Sequence, residues 1–183
     1  MAVRVGINGF GRIGRLAMRA AMEARRNDVE FVAVNDLGAV DVNAHLLKYD
    51  SVHGTYPGEV KSDADSITVD GKKIKVLQER DPTKLPWGEL GVDVVYECTG
   101  IFSDREKAAV HLGSGAPRVL VSAPSKGADA TVVYGVNHNV LSKEQKVVSN
   151  ASCTTNCLAP PVYVIDKLVG LESGYMTTIH AYT

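Results

Sequence analysis

The sequence lacks long hydrophobic runs; no stretch approaches the roughly 18 consecutive apolar residues that a membrane-spanning helix needs, so no span is expected. It also lacks net charge, with 20 Lys and Arg against 21 Asp and Glu. Without a field of one sign or a basic cluster, nucleic acid and anionic membranes are excluded as expected partners, leaving small molecules and other protein surfaces. Cysteine is scarce and odd in number, at 3. An odd set in a chain without an export signal does not make a disulfide framework, so any special cysteine is chemical rather than structural. The amino terminus, Met1 to Val5, carries no apolar targeting segment. A cytoplasmic home is the expectation. Repeats, low-complexity stretches and charged linkers are missing too.

What is present is a chain of 183 residues, 45% hydrophobic, enough for a sizeable core in one domain or one domain plus part of another. Val3 to Asn8 reads as a short buried strand, and Arg12 to Glu23 follows with Ile13, Leu16, Ala17 and Ala20 at helical spacing. A second apolar run, Val29 to Val34, ends in Asn35-Asp36. Strand, helix and strand within about 30 residues make a βαβ unit and therefore a parallel sheet. Asp41 to Leu47 reads as helix. Ser66 to Leu77 alternates around Asp70-Gly71, which suits a tight hairpin, so antiparallel pieces interrupt the parallel order. Further strands are expected at Val92 to Tyr96, Arg118 to Val121, Thr131 to Tyr134 and Val147-Val148, with a crossover helix over Asp104 to His111. Ser173 to His180 reads as a last strand, after which the sequence stops at Thr183 without a closing element, as a truncated domain would. The expected fold class is α/β: a Rossmann-type doubly wound, mostly parallel sheet over residues 1–150, then the start of an α+β catalytic domain over 151–183.

Gly9-Phe10-Gly11-Arg12-Ile13-Gly14 is a G-x-G-x-x-G set between the first strand and the first helix, where the chemistry of dinucleotide binding needs it. Gly9 permits the tight turn, Gly11 lets backbone approach a pyrophosphate, and Gly14 lets helix and strand pack, while the helix start offers free N–H groups to the anion. Asp36, ending the second strand, suits the two adenosine ribose hydroxyls and repels a 2′-phosphate, which favours NAD over NADP. A packing-only turn is the bland alternative, and it leaves the acidic residue unexplained. Thr99-Gly100 and Ser122-Ala123-Pro124 follow later strands at the carboxyl edge where ligands of such sheets lie.

Ser152-Cys153-Thr154-Thr155 stands at a helix start, with hydroxyls able to cap free backbone donors. A thiol there loses its proton more easily; a shift from about 8.5 to near 6 takes it from a few per cent to roughly nine-tenths thiolate at neutral pH. His180, after alternating Met176 and Ile179, is the candidate to add an imidazolium. Cys98 reads as an ordinary buried small residue. Cys157 lies one turn from Cys153, but no second pair exists at zinc spacing, so no metal is expected. His45, His53, His111 and His138 have no nameable partner and read as structural or solvated.

Together, Gly6 to Arg15, Asn35-Asp36-Leu37 and Ser149 to Cys157 closely resemble the phosphorylating glyceraldehyde-3-phosphate dehydrogenases, in a likeness that extends through His45 to Gly54, Glu97 to Gly100, Ser122 to Pro124 and Thr177 to His180. The resemblance implies a homotetrameric enzyme of glycolysis and gluconeogenesis. It would convert glyceraldehyde 3-phosphate, NAD and inorganic phosphate to 1,3-bisphosphoglycerate through a cysteine hemithioacetal and thioester. It assigns Cys153 as nucleophile and His180 as base; Arg12, Ile13, Asp36, Arg80, Thr99 and Ser122 to the dinucleotide; and Ser152, Thr154 and Thr183 to the phosphate groups. Pro160-Pro161-Val162-Tyr163 departs from the family pattern, which usually has one proline and often lysine where Tyr163 stands. The rival enzyme is erythrose-4-phosphate dehydrogenase, which hydrolyses its thioester; from another class, the chain is a module that binds NAD without turnover.

Overall fold

The computed structural model describes residues 1–180. In chain order the elements are β1 (Val3–Asn8), α1 (Arg12–Glu23), β2 (Val29–Asn35), α2 (Val40–Lys48), the short pair β3 (Tyr49–Asp50) and β4 (Gly54–Thr55), then β5 (Val60–Ser62), β6 (Ser66–Val69) and β7 (Lys72–Leu77). They continue with β8 (Val94–Glu97), α3 (Arg105–Ala108), α4 (Val110–Gly113), β9 (Arg118–Val121), β10 (Ala130–Thr131), β11 (Val147–Ser149) and α5 (Cys153–Val169).

Nine strands form one sheet in the order β10-β11-β9-β8-β1-β2-β7-β6-β5. From β10 to β7 neighbours run parallel, whereas β6 runs antiparallel to both β7 and β5. The chain moves outward from β1 through β2 and then returns to the other flank of β1 with β8. That reversal opens a crevice at the carboxyl ends of β1 and β8, the usual ligand position in doubly wound sheets. The strands are apolar where helices cover them: Val5, Ile7, Phe31, Val34, Ile67 and Ile74 pack with Phe10 and Met18, and a second cluster joins Ala33, Val95, Leu85 and Trp87. The β6–β7 turn carries Asp70 at φ 49° and Gly71 at φ 80°, as its tight hairpin requires.

Three readings change. Asp104 to His111 is two short helical pieces, α3 and α4, meeting at Ala109. Thr131 to Tyr134 shrinks to β10, because Val132 and Val133 are buried while the chain already turns toward Asn137. Ser173 to His180 is exposed and has no regular structure. Its alternation suits a strand, but a strand needs a lateral hydrogen-bonding neighbour, and none of the described residues supplies one. Helix α5 has no buried residue. It runs through Pro160 and Pro161 as one 17-residue helix and leaves Val164, Ile165, Leu168 and Val169 on the surface. No helix among the described residues is long and apolar enough to cross a membrane.

Candidate functional site

The β1–α1 turn builds one wall of the crevice. Gly9 takes φ 90°, a left-handed conformation that a side chain resists, and a Cβ there would meet the Thr99 nitrogen at 2.7 Å. At Gly14 a Cβ would run into the Gly9 carbonyl oxygen and lie 3.0 Å from Ile7 Cγ2, so helix and strand pack only because it is glycine. Gly11 differs: nothing lies within 4 Å of where its Cβ would stand. It is the N-cap of α1, with no side-chain cap, and the first turn carries no acidic residue. Free N–H groups, the positive end of the helix dipole and open space beside backbone together suit a pyrophosphate.

Asp36 is tied into the same wall. Its Oδ2 accepts from the Phe10 N–H at 2.9 Å, and its Oδ1 accepts from the Gly38 N–H at 2.8 Å. The carboxylate is thereby fixed at the cleft rim. The cleft measures about 470 Å³ and is lined by Gly9, Gly11, Asp36, Arg80 and Thr99, with Leu37, Pro82, Ile101 and Phe102 supplying apolar surface. That combination of a few polar groups with apolar walls is typical of nucleotide-sized sites. The glycine turn, Asp36, Arg80 and Thr99 thus come together as the sequence predicts, and they fit a dinucleotide.

Other predicted residues lie beside the cleft. Arg12 pairs with Asp50 across 3.0 Å, and Ile13 is half-exposed on α1. The Asp50 carboxyl sits well below the usual range because the N–H groups of His53 and Val52 point at it. Ser122 is one strand further along the edge, its N–H donating to the Glu97 carbonyl at 3.0 Å. The Ser122 hydroxyl meets the Cys98 thiol, which lines the cleft and is pushed up to about 11 by burial. Sequence reasoning gave Cys98 no role beyond that of a buried small residue, since nothing in the pattern signals its half-buried place in the lining. It also passed over Asn8, Asn35 and Glu79 in the lining. A polar residue closing a buried apolar run, as Asn8 and Asn35 do, was the available clue.

Helix α5 begins directly after β11, at the same carboxyl edge. Ser152 is its N-cap, and Ser152 Oγ accepts from the Thr155 N–H at 3.0 Å. Ala151 just before it is held at φ 58°, and the Asn156 amide donates to the carbonyls of Asn150 (2.7 Å) and Ser152 (2.9 Å). This fastened turn presents Cys153, exposed, in the first helical position. His180 is brought to the same helix end, its Nε2 3.2 Å from Thr154 Oγ1. Thr183 lies outside the described residues.

The remaining histidines have partners that the sequence did not reveal: His45 packs on Tyr49, His53 on Asp50, and His138 on Tyr134 and the Gly135 N–H. His111 is fully buried against Glu97 and Trp87. Among the described residues no group of three His, Cys, Asp or Glu side chains could hold a metal.

Comparison with known proteins agrees with this geometry. Residues 3–105 match the family described as glyceraldehyde 3-phosphate dehydrogenase, NAD binding domain, and residues 152–183 match its C-terminal domain. The whole chain is 63% identical to a glyceraldehyde-3-phosphate dehydrogenase of Xanthobacter flavus and covers 55% of that protein. It is 58% identical, again over its whole length and 55% of the relative, to that of Pseudomonas aeruginosa. Against that of Thermotoga maritima it is 54% identical, over 98% of this chain and 54% of the relative. The chain spans about half the length of these curated relatives, and at that likeness, with a mostly parallel sheet and a dinucleotide cleft, it belongs to the glyceraldehyde-3-phosphate dehydrogenase family.

Proposed function

We propose that this chain carries the dinucleotide site and the nucleophile of an NAD-dependent glyceraldehyde-3-phosphate dehydrogenase that phosphorylates its product. Residues 1–150 form the dinucleotide-binding part and 151–183 begin the catalytic part. The observation that carries the reading is the shared edge: the cleft and the Ser152-capped start of α5, with Cys153 exposed on it, both lie at the carboxyl ends of one parallel sheet. NAD is the preferred dinucleotide, because Asp36 is pinned at the rim as an anion that a 2′-phosphate would have to approach. When bound, NAD supplies the hydride acceptor for the aldehyde.

Gly9, Gly11, Gly14 and the α1 N-terminus would hold the pyrophosphate, with Arg12, Ile13, Arg80, Thr99 and Ser122 around the dinucleotide. The Cys153 sulfur, as thiolate, adds to the aldehyde carbon to give a hemithioacetal. His180 takes the hydroxyl proton of that adduct as the carbon is oxidised, leaving a thioester on Cys153. Inorganic phosphate then attacks the acyl carbon, the C–S bond breaks, and the product leaves as an acyl phosphate. Ser152, Thr154 and Thr183 contribute hydroxyls for the substrate and attacking phosphates. A cytoplasmic homotetramer completes the proposal.

The test is NADH formation from glyceraldehyde 3-phosphate, with and without phosphate, using the full reading frame that encodes this chain and its Cys153→Ser variant. Phosphate-dependent NADH formation that Cys153→Ser abolishes is expected. Turnover indifferent to phosphate would reassign the protein to thioester hydrolysis, as in erythrose-4-phosphate dehydrogenase; NAD binding without turnover would leave a binding module.

A further inference from the structure

Beneath the cleft lies a buried polar chain that the proposed chemistry does not use. Asn35, Asn8 and Glu97 end three adjacent strands in register, Asn8 paired with Asn35 on one side and with Glu97 on the other. All three are at least 95% buried, and so is His111 behind them. Glu97 Oε1 accepts from the Thr99 N–H at 2.8 Å and from the Thr99 hydroxyl. Glu97 Oε2 accepts from Asn8 Nδ2 at 2.7 Å and faces His111 Nε2 at 2.8 Å. The Trp87 indole N–H donates to His111 Nδ1 at 3.1 Å. An indole nitrogen only donates, so Nδ1 is the bare nitrogen, and the ring hydrogen sits on Nε2, aimed at Glu97. Four donors therefore converge on one buried carboxyl group.

The chain continues to the opposite wall. Asn8 Oδ1 accepts from Asn35 Nδ2 at 2.7 Å, and the Asn35 amide grips the Glu79 backbone twice, accepting from its N–H and donating to its carbonyl, each at 2.9 Å. Thr99 after β8 and the segment Glu79-Arg80 after β7 both line the cleft, as walls on either side of β1 and β2. A single connected set of hydrogen bonds thus sets the separation of the walls, with Glu97 at its centre. A packing role alone would be met at lower cost by apolar residues, since a buried carboxyl group must find every one of its partners.

We infer that Glu97 is a positioning residue for dinucleotide binding, holding Thr99 directly and Glu79-Arg80 through Asn8 and Asn35, and that His111, oriented by Trp87, holds Glu97 in turn. Neither Glu97 nor His111 lines the cleft, so both act through other residues. The inference rests on the reading of the cleft as a dinucleotide site. Replacing Glu97 by Gln keeps the shape but turns an acceptor oxygen into a donor amide facing other donors, and the walls lose their common anchor.

The experiment is NAD titration by calorimetry on the parent, Glu97→Gln, His111→Leu and His111→Gln. Amide hydrogen exchange at Thr99 and Glu79 is measured on the same samples, with fold checked by circular dichroism. Ile67→Ala, on β6 far along the sheet, is the stability control. Glu97→Gln and His111→Leu are expected to bind NAD about tenfold more weakly, as loss of one hydrogen bond to a buried carboxyl group implies, with faster exchange at both amides. His111→Gln, which returns an N–H donor, recovers part of the loss, and Ile67→Ala melts earlier but binds as the parent does. Parent-like affinity in both Glu97→Gln and His111→Leu, or an equal loss in Ile67→Ala, overturns the inference. A parent that does not bind NAD sinks the dinucleotide reading instead, and the exchange rates at Thr99 and Glu79 then decide by themselves whether Glu97 holds the walls.

Discussion

The two outer glycines of the fingerprint and the middle one do different work, and substitution separates them. A methyl group at Gly14 meets the Gly9 carbonyl, so Gly14→Ala should lower stability by roughly 1–3 kcal/mol, read as a drop in melting temperature. Gly11→Ala meets no protein atom within 4 Å, so its melting temperature should stay near the parent's while NAD affinity falls about tenfold or more, because the methyl takes the space of the pyrophosphate. The three cysteines also separate. With the Cys98 thiol half-buried and held up to about 11 by burial, and Cys153 and Cys157 exposed, a thiol reagent at mildly alkaline pH should modify two sites rapidly and the third far more slowly until the protein is denatured. Rapid modification of all three in the folded protein would contradict the packing around Cys98. The glycine pattern was legible at this scale because it is written in six neighbouring residues, in which Gly9 and Gly14 relieve clashes and Gly11 leaves the backbone open. The place of Cys98 was not, because its neighbour Ser122 arrives from a different strand.

Helices α1 and α5 show how far local signals reach. The boundaries of α1 agree with the apolar spacing from Arg12 to Glu23, and the Ser152 cap of α5 is where a hydroxyl before Cys153 suggests it. Pro160 and Pro161, where the sequence departs from the family pattern, lie inside α5, and the helix continues through them. Pro160 and Pro161 remove the N–H groups that would bond to the carbonyls of Asn156 and Cys157, a cost of up to about 3 kcal/mol for each interior proline. Pro161→Ala restores one donor, and hydrogen exchange of the following turn should slow in that variant. In the parent, amides of α5 should exchange faster than those of β1, β2 and β8, because no α5 residue is buried. The segment Ser173 to His180 was misread for the complementary reason: alternation describes which face is apolar, whereas a strand exists only when a neighbour pairs with it.

Across the molecule, carboxylates tie distant segments together and set the acid limit of the fold. Asp129 accepts from the Lys146 and Val147 N–H groups and from Arg105 Nε, so it joins β11 to α3. The Val147 N–H, then the Arg105 guanidinium, hold its carboxyl at about 2. Asp28, on the surface, is likewise at about 2, chiefly through its near neighbour Arg26, and contributes less because solvent screens the pair. The folded-state values lie below the ordinary 3.8, so this stabilisation is complete above 3.8 and is lost as pH falls toward 2. Asp129→Asn should therefore melt earlier than the parent at neutral pH, with the difference shrinking across that acid window. A difference that persists unchanged at the acid end would show that the charge of Asp129 is not what stabilises the junction.

The sequence by itself determined the parallel α/β plan, the dinucleotide turn, the acidic residue after β2 and the capped cysteine at a helix start, because each is written in neighbouring residues and depends on backbone sterics, periodicity or capping. Only the tertiary structure decided which strands adjoin, and hence that Asn35, Asn8 and Glu97 stand side by side with His111 and Trp87 behind them. Those residues lie up to 103 positions apart in the chain, and no local rule relates them. Strand order brings them together, and the cost of burying a carboxyl group obliges each of them to face the next.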